Sequence, residues 1–112
     1  MEKILVVNND LDTMTLLKSW LEKKAYKVKY TADREIVREL VKEFNPDVVL
    51  VDVLQKDVID QLKSDEETRT IPVLLMTGYT VRQKIPQMPA DDIIEKPFNL
   101  NLLEKKIEKL IA

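Results

Sequence analysis

Four polar groups that could take part in catalysis or binding each come at or just after the end of a short apolar run. Asn8-Asn9-Asp10 follows the first run, and Asp52, Thr77 and Lys96 follow three later ones. An aspartate carboxylate can act as a nucleophile and become an aspartyl phosphate. The Thr77 hydroxyl could then bond to one phosphoryl oxygen, and the Lys96 ammonium could pair with another as a point charge. These residue types favour phosphoryl transfer, provided that the fold brings them together.

The apolar runs have the character of buried strands. Ile4 to Val7, Val48 to Val51, Val73 to Met76 and Ile93-Ile94 are continuous, which indicates burial on both faces of a sheet. A weaker, alternating run from Lys27 to Thr31 predicts an edge strand. Helical patterns separate the strands in the order βαβαβαβαβ, which predicts an open, doubly wound parallel α/β sheet. Sites in such sheets form beyond the carboxyl ends of the strands, where all four polar groups should lie.

Amphipathic helices are predicted between the strands and after the last one. Asp33 and Asn99 suit the caps that begin two of them. The segment from Tyr79 to Asp92, with two prolines, predicts at best a short, distorted helix. The apolar stripes are Leu16, Leu17, Trp20 and Leu21; Ile36, Val37, Leu40, Val41 and Phe44; Val58, Ile59 and Leu62; and Leu103, Ile107, Leu110 and Ile111.

Composition excludes several kinds of site. The 112 residues fit a single domain, 1–112, and the net charge of -2 does not predispose it to bind nucleic acid or an anionic membrane. Without Cys or His, the chain cannot build a disulfide, a zinc site on those ligands, or a Ser-His triad. The single glycine, Gly78, argues against a phosphate-cradling glycine loop. No signal peptide or membrane-spanning run is recognisable, so we expect a cytoplasmic domain.

Each polar group also has a purely structural interpretation. Asn9, Asp10 and Asp12 suit the cap of the first helix, and Asp52 suits the cap of the third. Lys96 could be a solvated surface lysine. The functional interpretation depends on the groups acting together.

In their order and register, these features resemble the receiver domain of two-component response regulators, over essentially the whole chain. No single stretch is specific, but the set is. The stretches that carry the resemblance are Ile4 to Asp10, Leu16-Leu17, Ala25 to Val28, Pro46 to Asp52, Ile71 to Val73, Thr77-Gly78 and Lys96 to Phe98.

The resemblance implies a flavodoxin-like (βα)5 sheet with strand order 2-1-3-4-5. It implies Asp52 as the phosphoacceptor, Thr77 as the switch hydroxyl and Lys96 as the phosphate-sensing lysine, with a cis bond before Pro97. Such a domain is a phosphoprotein without enzymatic activity of its own. It receives its phosphoryl group from a histidine kinase or phosphotransfer protein. It signals to a downstream protein partner through the fourth helix, fifth strand and fifth helix, without contacting nucleic acid or membrane directly.

The sequence departs from this family where the family binds Mg²⁺. Amides, Asn8 and Asn9, occupy the positions of the usual acidic pair, which leaves Asp10 and Asp52 as the carboxylates of a weakened site. Mg²⁺ prefers carboxylate and water oxygens. Two unit charges about 4 Å apart interact by roughly 4 kcal/mol at an effective dielectric constant of 20. We therefore expect Mg²⁺ binding to be weak or absent, and Lys96 to pair with Asp52 without a metal.

Other departures affect the surroundings of the site. The segment after Asp52, Val53 to Asp57, lacks the Met-Pro pair and glycine of the family, and the stretch from Thr77 to Lys96 is short. Ile93 stands where the family often has an aromatic switch residue. Two functions thus remain open: a phosphorylatable receiver, and a phosphorylation-independent pseudo-receiver that acts as a protein-interaction module. A flavin or nucleotide binder of the same fold is a weaker third option, given the shortage of glycine.

Overall fold

Five parallel strands form one sheet in the computed structural model, which describes residues 2–52, 57–77, 90–96 and 99–112. The strand order β2-β1-β3-β4-β5 confirms the predicted 2-1-3-4-5 topology and places β2 at an edge. Parallel neighbours need a crossover connection, and the helices supply it. The strands are β1 (Lys3–Val7), β2 (Lys27–Thr31), β3 (Val48–Asp52), β4 (Val73–Thr77) and β5 (Asp92–Glu95).

Four α-helices are described: α1 (Leu11–Lys23), α2 (Val37–Phe44), α3 (Asp57–Ser64) and α4 (Leu100–Ile111). A short 3₁₀ turn, Arg34–Ile36, leads into α2. The predicted caps are confirmed, since Asp33 caps this turn and Asn99 caps α4 by accepting from two backbone N–H groups. Residues 53–56, 78–89 and 97–98 lie outside the described residues. The rebuilt loop after Asp52, the distorted fourth helix and the cis bond before Pro97 fall there and remain predictions.

The core has two layers, one on each face of the sheet. Alternate residues of each strand point to opposite faces, so Ile4 and Val6 pack towards α1 and α4, whereas Leu5 and Val7 pack towards α2 and α3. Because both faces are covered, both sets are apolar and fully buried. Each such side chain contributes roughly 1.5–3 kcal/mol by leaving water.

Two residues of the predicted helix stripes lie outside the core. Leu16 is exposed because α1 turns a different face to the sheet, carrying Met14, Leu17 and Leu21. Ile36 is exposed because it belongs to the 3₁₀ turn and not to α2. The helices were predicted correctly, but the edges of their buried faces were not.

Charged contacts hold β5 in place on either side. At its start, Asp91 accepts hydrogen bonds from the backbone N–H of Val73 and from the ammonium of Lys63, each at 2.7 Å. On α4, the ammonium of Lys106 lies 3.2 Å from a carboxylate oxygen of Asp92. These contacts fix the strand that leads to Lys96.

Candidate functional site

The predicted site residues lie at one edge of the sheet. Val51 is the register partner of Val7, so Asn8 and Asp52 are neighbours at the carboxyl ends of β1 and β3. Thr77 ends β4, one residue beyond the register partner of Asp52. The register therefore brings together groups that are far apart in the sequence, as the rule for parallel sheets predicts.

Asp52 and Lys96 form the centre of this edge. The ammonium of Lys96 makes an ion pair and hydrogen bond with Oδ2 of Asp52. The Asp52 side chain is 5% exposed and that of Lys96 is 32% exposed. The backbone N–H of Lys96 donates to the carbonyl of Thr77 at 2.7 Å, which anchors the lysine at the end of β4. A buried carboxylate thus faces a cation that water can still reach.

Side-chain alternation assigns these groups to the two faces of the sheet. Asn8, Asp52 and Lys96 continue the rows of residues covered by α1 and α4. Thr77 continues the opposite row, covered by α2 and α3, and is itself fully buried. The site is therefore assembled at the very end of the strands, where both rows meet the edge.

Asn8 and Asn9 have opposite environments. Asn8 is fully buried, and its side-chain Oδ1 accepts a hydrogen bond of 2.7 Å from the backbone N–H of Asp10. Its backbone N–H donates to the carbonyl of Thr31 at 3.1 Å, so β2 also fixes its position. Asn9 is exposed. The Nδ2 of Asn8 is buried and has no hydrogen-bond partner within the described ranges.

Asp10 caps α1, as its structural interpretation predicted. Its carboxylate accepts from the backbone N–H of Asp12 at 3.1 Å and from the hydroxyl of Thr13 at 2.7 Å. The bond from Thr13 is the main cause that lowers the pKa of Asp10, and the charge of Lys96 lowers it further. Asp10 is thus both the helix cap and a charge at the rim of the site.

Thr13 was missed in the sequence. It holds the carboxylate that borders the site, although it touches none of the central groups. The spacing Asp10-x-x-Thr13, with a capping residue followed three positions later by a hydrogen-bonding side chain, is the signal that points to it.

Several oxygen atoms at this edge are already engaged by donors of the protein itself. Oδ1 of Asn8 is engaged by the N–H of Asp10, and Oδ2 of Asp52 by Lys96. The carboxylate of Asp10 is turned to the first turn of α1. In the described part of the chain, no group of three or more His, Cys, Asp or Glu is arranged to hold a metal ion. Mg²⁺ takes near-octahedral oxygen ligands, so these hydrogen bonds would compete with it for the same atoms.

No helix among the described residues has the length and apolar character needed to cross a bilayer.

Comparison with known proteins agrees with this architecture. The family model of the response regulator receiver domain matches residues 4–108. Transcriptional regulatory protein CpxR of Escherichia coli (strain K12) is 33% identical over 116 residues, which cover 99% of this chain and 50% of that protein. Transcriptional regulatory protein YxdJ of Bacillus subtilis (strain 168) is 29% identical, with 99% and 51% covered. The chain spans about half the length of these relatives.

Solved structures show the same fold. The signal receiver domain of a signal transduction histidine kinase from Syntrophus aciditrophicus superposes with a TM-score of 0.91 at 25% identity, covering 99% of this chain and 90% of that one. The receiver domain of sensor histidine kinase PA1611 from Pseudomonas aeruginosa PAO1 has a TM-score of 0.89 at 20% identity, with 98% and 97% covered. That structure is described with a magnesium ion coordinated in its active site cleft. With its sheet order, its Asp52–Lys96 pair and the family match over nearly all its length, the chain belongs to the response regulator receiver domains of two-component signalling, with the flavodoxin-like fold.

Proposed function

We propose that this receiver domain accepts a phosphoryl group on Asp52, as part of a two-component or phosphorelay protein of the cytoplasm. The observation that supports this most directly is the buried carboxylate of Asp52, held by Lys96 at the carboxyl edge of the sheet. Thr77 lies at the same edge on the next strand. This is the trio that the sequence selected for phosphoryl transfer.

The chemistry needs one new bond and one broken bond. A carboxylate oxygen of Asp52 attacks phosphorus, and the bond from phosphorus to the donor breaks. The electron pair of that bond leaves with the donor, which is an imidazole nitrogen for a phosphohistidine and acetate for acetyl phosphate. The acyl phosphate carries more negative charge than the carboxylate did, and Lys96 stays beside it as counter-charge. The hydroxyl of Thr77 donates to a phosphoryl oxygen. Phosphorylation of Asp52 thereby shifts the position of β4.

The partners follow from this chemistry. The donor is a histidine kinase or a phosphotransfer protein, and the signal passes to a downstream protein through the surface that includes β5 and α4. Receiver domains are generally non-enzymatic signalling modules, and the relatives named above are transcriptional regulators about twice as long as this chain. We propose a switch role for the domain itself, without direct contact to nucleic acid or membrane.

The decisive experiment is incubation with acetyl phosphate and Mg²⁺, read by intact mass. We expect one phosphoryl adduct, absent in Asp52→Asn. The matched control is Asp12→Asn, which removes an exposed carboxylate near the same edge and should keep the adduct. An adduct that persists in Asp52→Asn, or none in the folded native protein, contradicts the proposal.

A phosphorylation-independent interaction module is the second candidate. It is favoured by one observation, the Asp52–Lys96 pair, because this pair balances the buried charge without metal or phosphate. A folded protein that gains no phosphoryl group under any donor would support this alternative.

A further inference from the structure

We infer that Asn8 makes phosphorylation of this domain independent of Mg²⁺, because its side-chain amide donates a hydrogen bond to the phosphoryl group at Asp52. The inference rests on the proposed role of Asp52 as phosphoacceptor. It assigns to Asn8 a positive role in binding an oxyanion, where the sequence alone suggested only the loss of a metal ligand.

The first support is an unsatisfied donor. Nδ2 of Asn8 is buried and has no acceptor among the described residues, although nearly all buried polar groups in native proteins have a partner. Leaving such a donor unpaired costs roughly 1–3 kcal/mol. An unpaired donor with this free-energy cost, at the edge of the sheet where ligands bind, indicates that Nδ2 of Asn8 serves to bind a ligand.

The orientation of the amide is fixed by its other end. Asn8 accepts from the backbone N–H of Asp10 at 2.7 Å, and only the amide oxygen can accept. The two ends of the amide therefore cannot be exchanged, and the N–H₂ group must be the end that lacks a partner. Because Asp10 also caps α1, the start of the helix helps to hold this orientation.

The position of Asn8 places the donor beside Asp52. Val7 pairs with Val51, so Asn8 and Asp52 come one residue later on adjacent parallel strands, which lie about 4.8 Å apart. By alternation both side chains belong to the face covered by α1 and α4. An oxyanion attached to Asp52 would lie within reach of the amide.

Two groups beside Asp52 attract an oxyanion. They are the ammonium of Lys96, which pairs with the Asp52 carboxylate, and the N–H₂ group of Asn8. The positive end of the N–H dipole repels Mg²⁺ and attracts a phosphoryl oxygen. Asn8 and Lys96 together supply, from the protein, the positive potential that phosphoryl transfer requires.

The test compares rates of adduct formation from acetyl phosphate in EDTA and in MgCl₂, by intact mass. For the native protein we expect the two rates to agree within about threefold. In EDTA, Asn8→Asp should lower the rate by at least about tenfold, because it removes the donor and adds a negative charge. Asn45→Asp is the matched control: the same substitution at an exposed asparagine, at the C-terminal end of α2, should leave the rate in EDTA within about threefold of native. Circular dichroism confirms that each variant is folded.

The outcomes separate this inference from the proposed function. An adduct that forms only with Mg²⁺ leaves Asp52 as the acceptor and overturns the inference. Equal losses in Asn8→Asp and Asn45→Asp overturn it as well, because the buried amide would then have no special role. The comparison of EDTA with MgCl₂ in the native protein needs no variant, so a folding defect in Asn8→Asp cannot mask the result. No adduct in either medium overturns both proposals.

Discussion

Two lysine–aspartate pairs lie at opposite edges of the sheet and are built in opposite ways. Lys63 and Asp91 join the end of α3 to the starts of β4 and β5, with the lysine 17% and the aspartate 40% exposed. Lys96 and Asp52 meet at the carboxyl edge, with the lysine 32% and the aspartate 5% exposed. In the first pair the lysine is the more buried partner, whereas in the second pair the aspartate is.

The hydrogen bonds explain the difference. The ammonium of Lys63 uses all three of its donors, on the carbonyls of Arg69 and Ile71 and on Asp91. Lys63 therefore acts as a structural clamp, and its ammonium has no N–H donor left to bind a ligand. At the other edge, a nearly buried carboxylate pairs with a lysine on a flexible stem, and the side chain of that lysine remains partly exposed to water. The same two residue types therefore form a structural contact at one edge and the centre of the candidate site at the other.

The largest effect is expected from Lys96→Met. It leaves the carboxylate of Asp52 buried without its cation, and breaking a buried pair in this way typically costs 3–5 kcal/mol. Since Lys96 is partly exposed, we expect a loss of about 3 kcal/mol in the free energy of unfolding, measured by urea titration. Adding Asp52→Asn should restore at least half of this loss, because no buried charge then remains.

Lys63→Met should cost about 2 kcal/mol, because two backbone carbonyls lose their donor while Asp91 stays in contact with water. Here Asp91→Asn should give no rescue, since the carbonyls remain unpaired. Urea titration of the single and double variants gives the coupling energies directly. If the aspartate-to-asparagine change restores stability at both pairs, or at neither, the proposed difference between the Lys63–Asp91 pair and the Lys96–Asp52 pair is wrong.

The smallest effect concerns Asp10, the exposed carboxylate at the edge that holds Asp52. Its pKa is lowered from the ordinary value of 3.8, chiefly by the hydroxyl of Thr13. A lowered pKa in the folded state gives stability that is present above 3.8 and is lost as the pH falls through the lower folded value. Melting temperatures between pH 5 and strong acid should therefore fall less steeply in Asp10→Asn. Thr13→Val, which keeps the charge, should also flatten the curve, and an unchanged slope in both variants would contradict this assignment.

Much of the fold followed from local pattern. Continuous apolar runs predicted the buried strands β1, β3 and β4, because a parallel sheet covered on both sides leaves no polar row. The run Ile93-Ile94 also predicted a strand, but β5 lies at the edge of the sheet and only Ile94 is buried. The caps at Asp33 and Asn99 followed from residue type, because these side chains supply the acceptors that the first turn of a helix lacks. Leu16 and Ile36 were assigned to the core wrongly. Apolar spacing defines a helix face, but not how that face is rotated against the sheet or where a 3₁₀ turn replaces the first turn.

The sequence by itself determined which functional groups are available: one carboxylate at the end of β3, a hydroxyl and a lysine on the next two strands, and two amides where acids are usual. The sequence also predicted that Lys96 pairs with Asp52, and the structure confirms this contact across 44 residues. Only the tertiary structure decided how the two amides are placed, because it buried Asn8 while exposing Asn9, although the two are identical and adjacent. The physical reason is that successive residues at the end of a strand turn to opposite sides, and strand register alone fixes which of them meets Asp52.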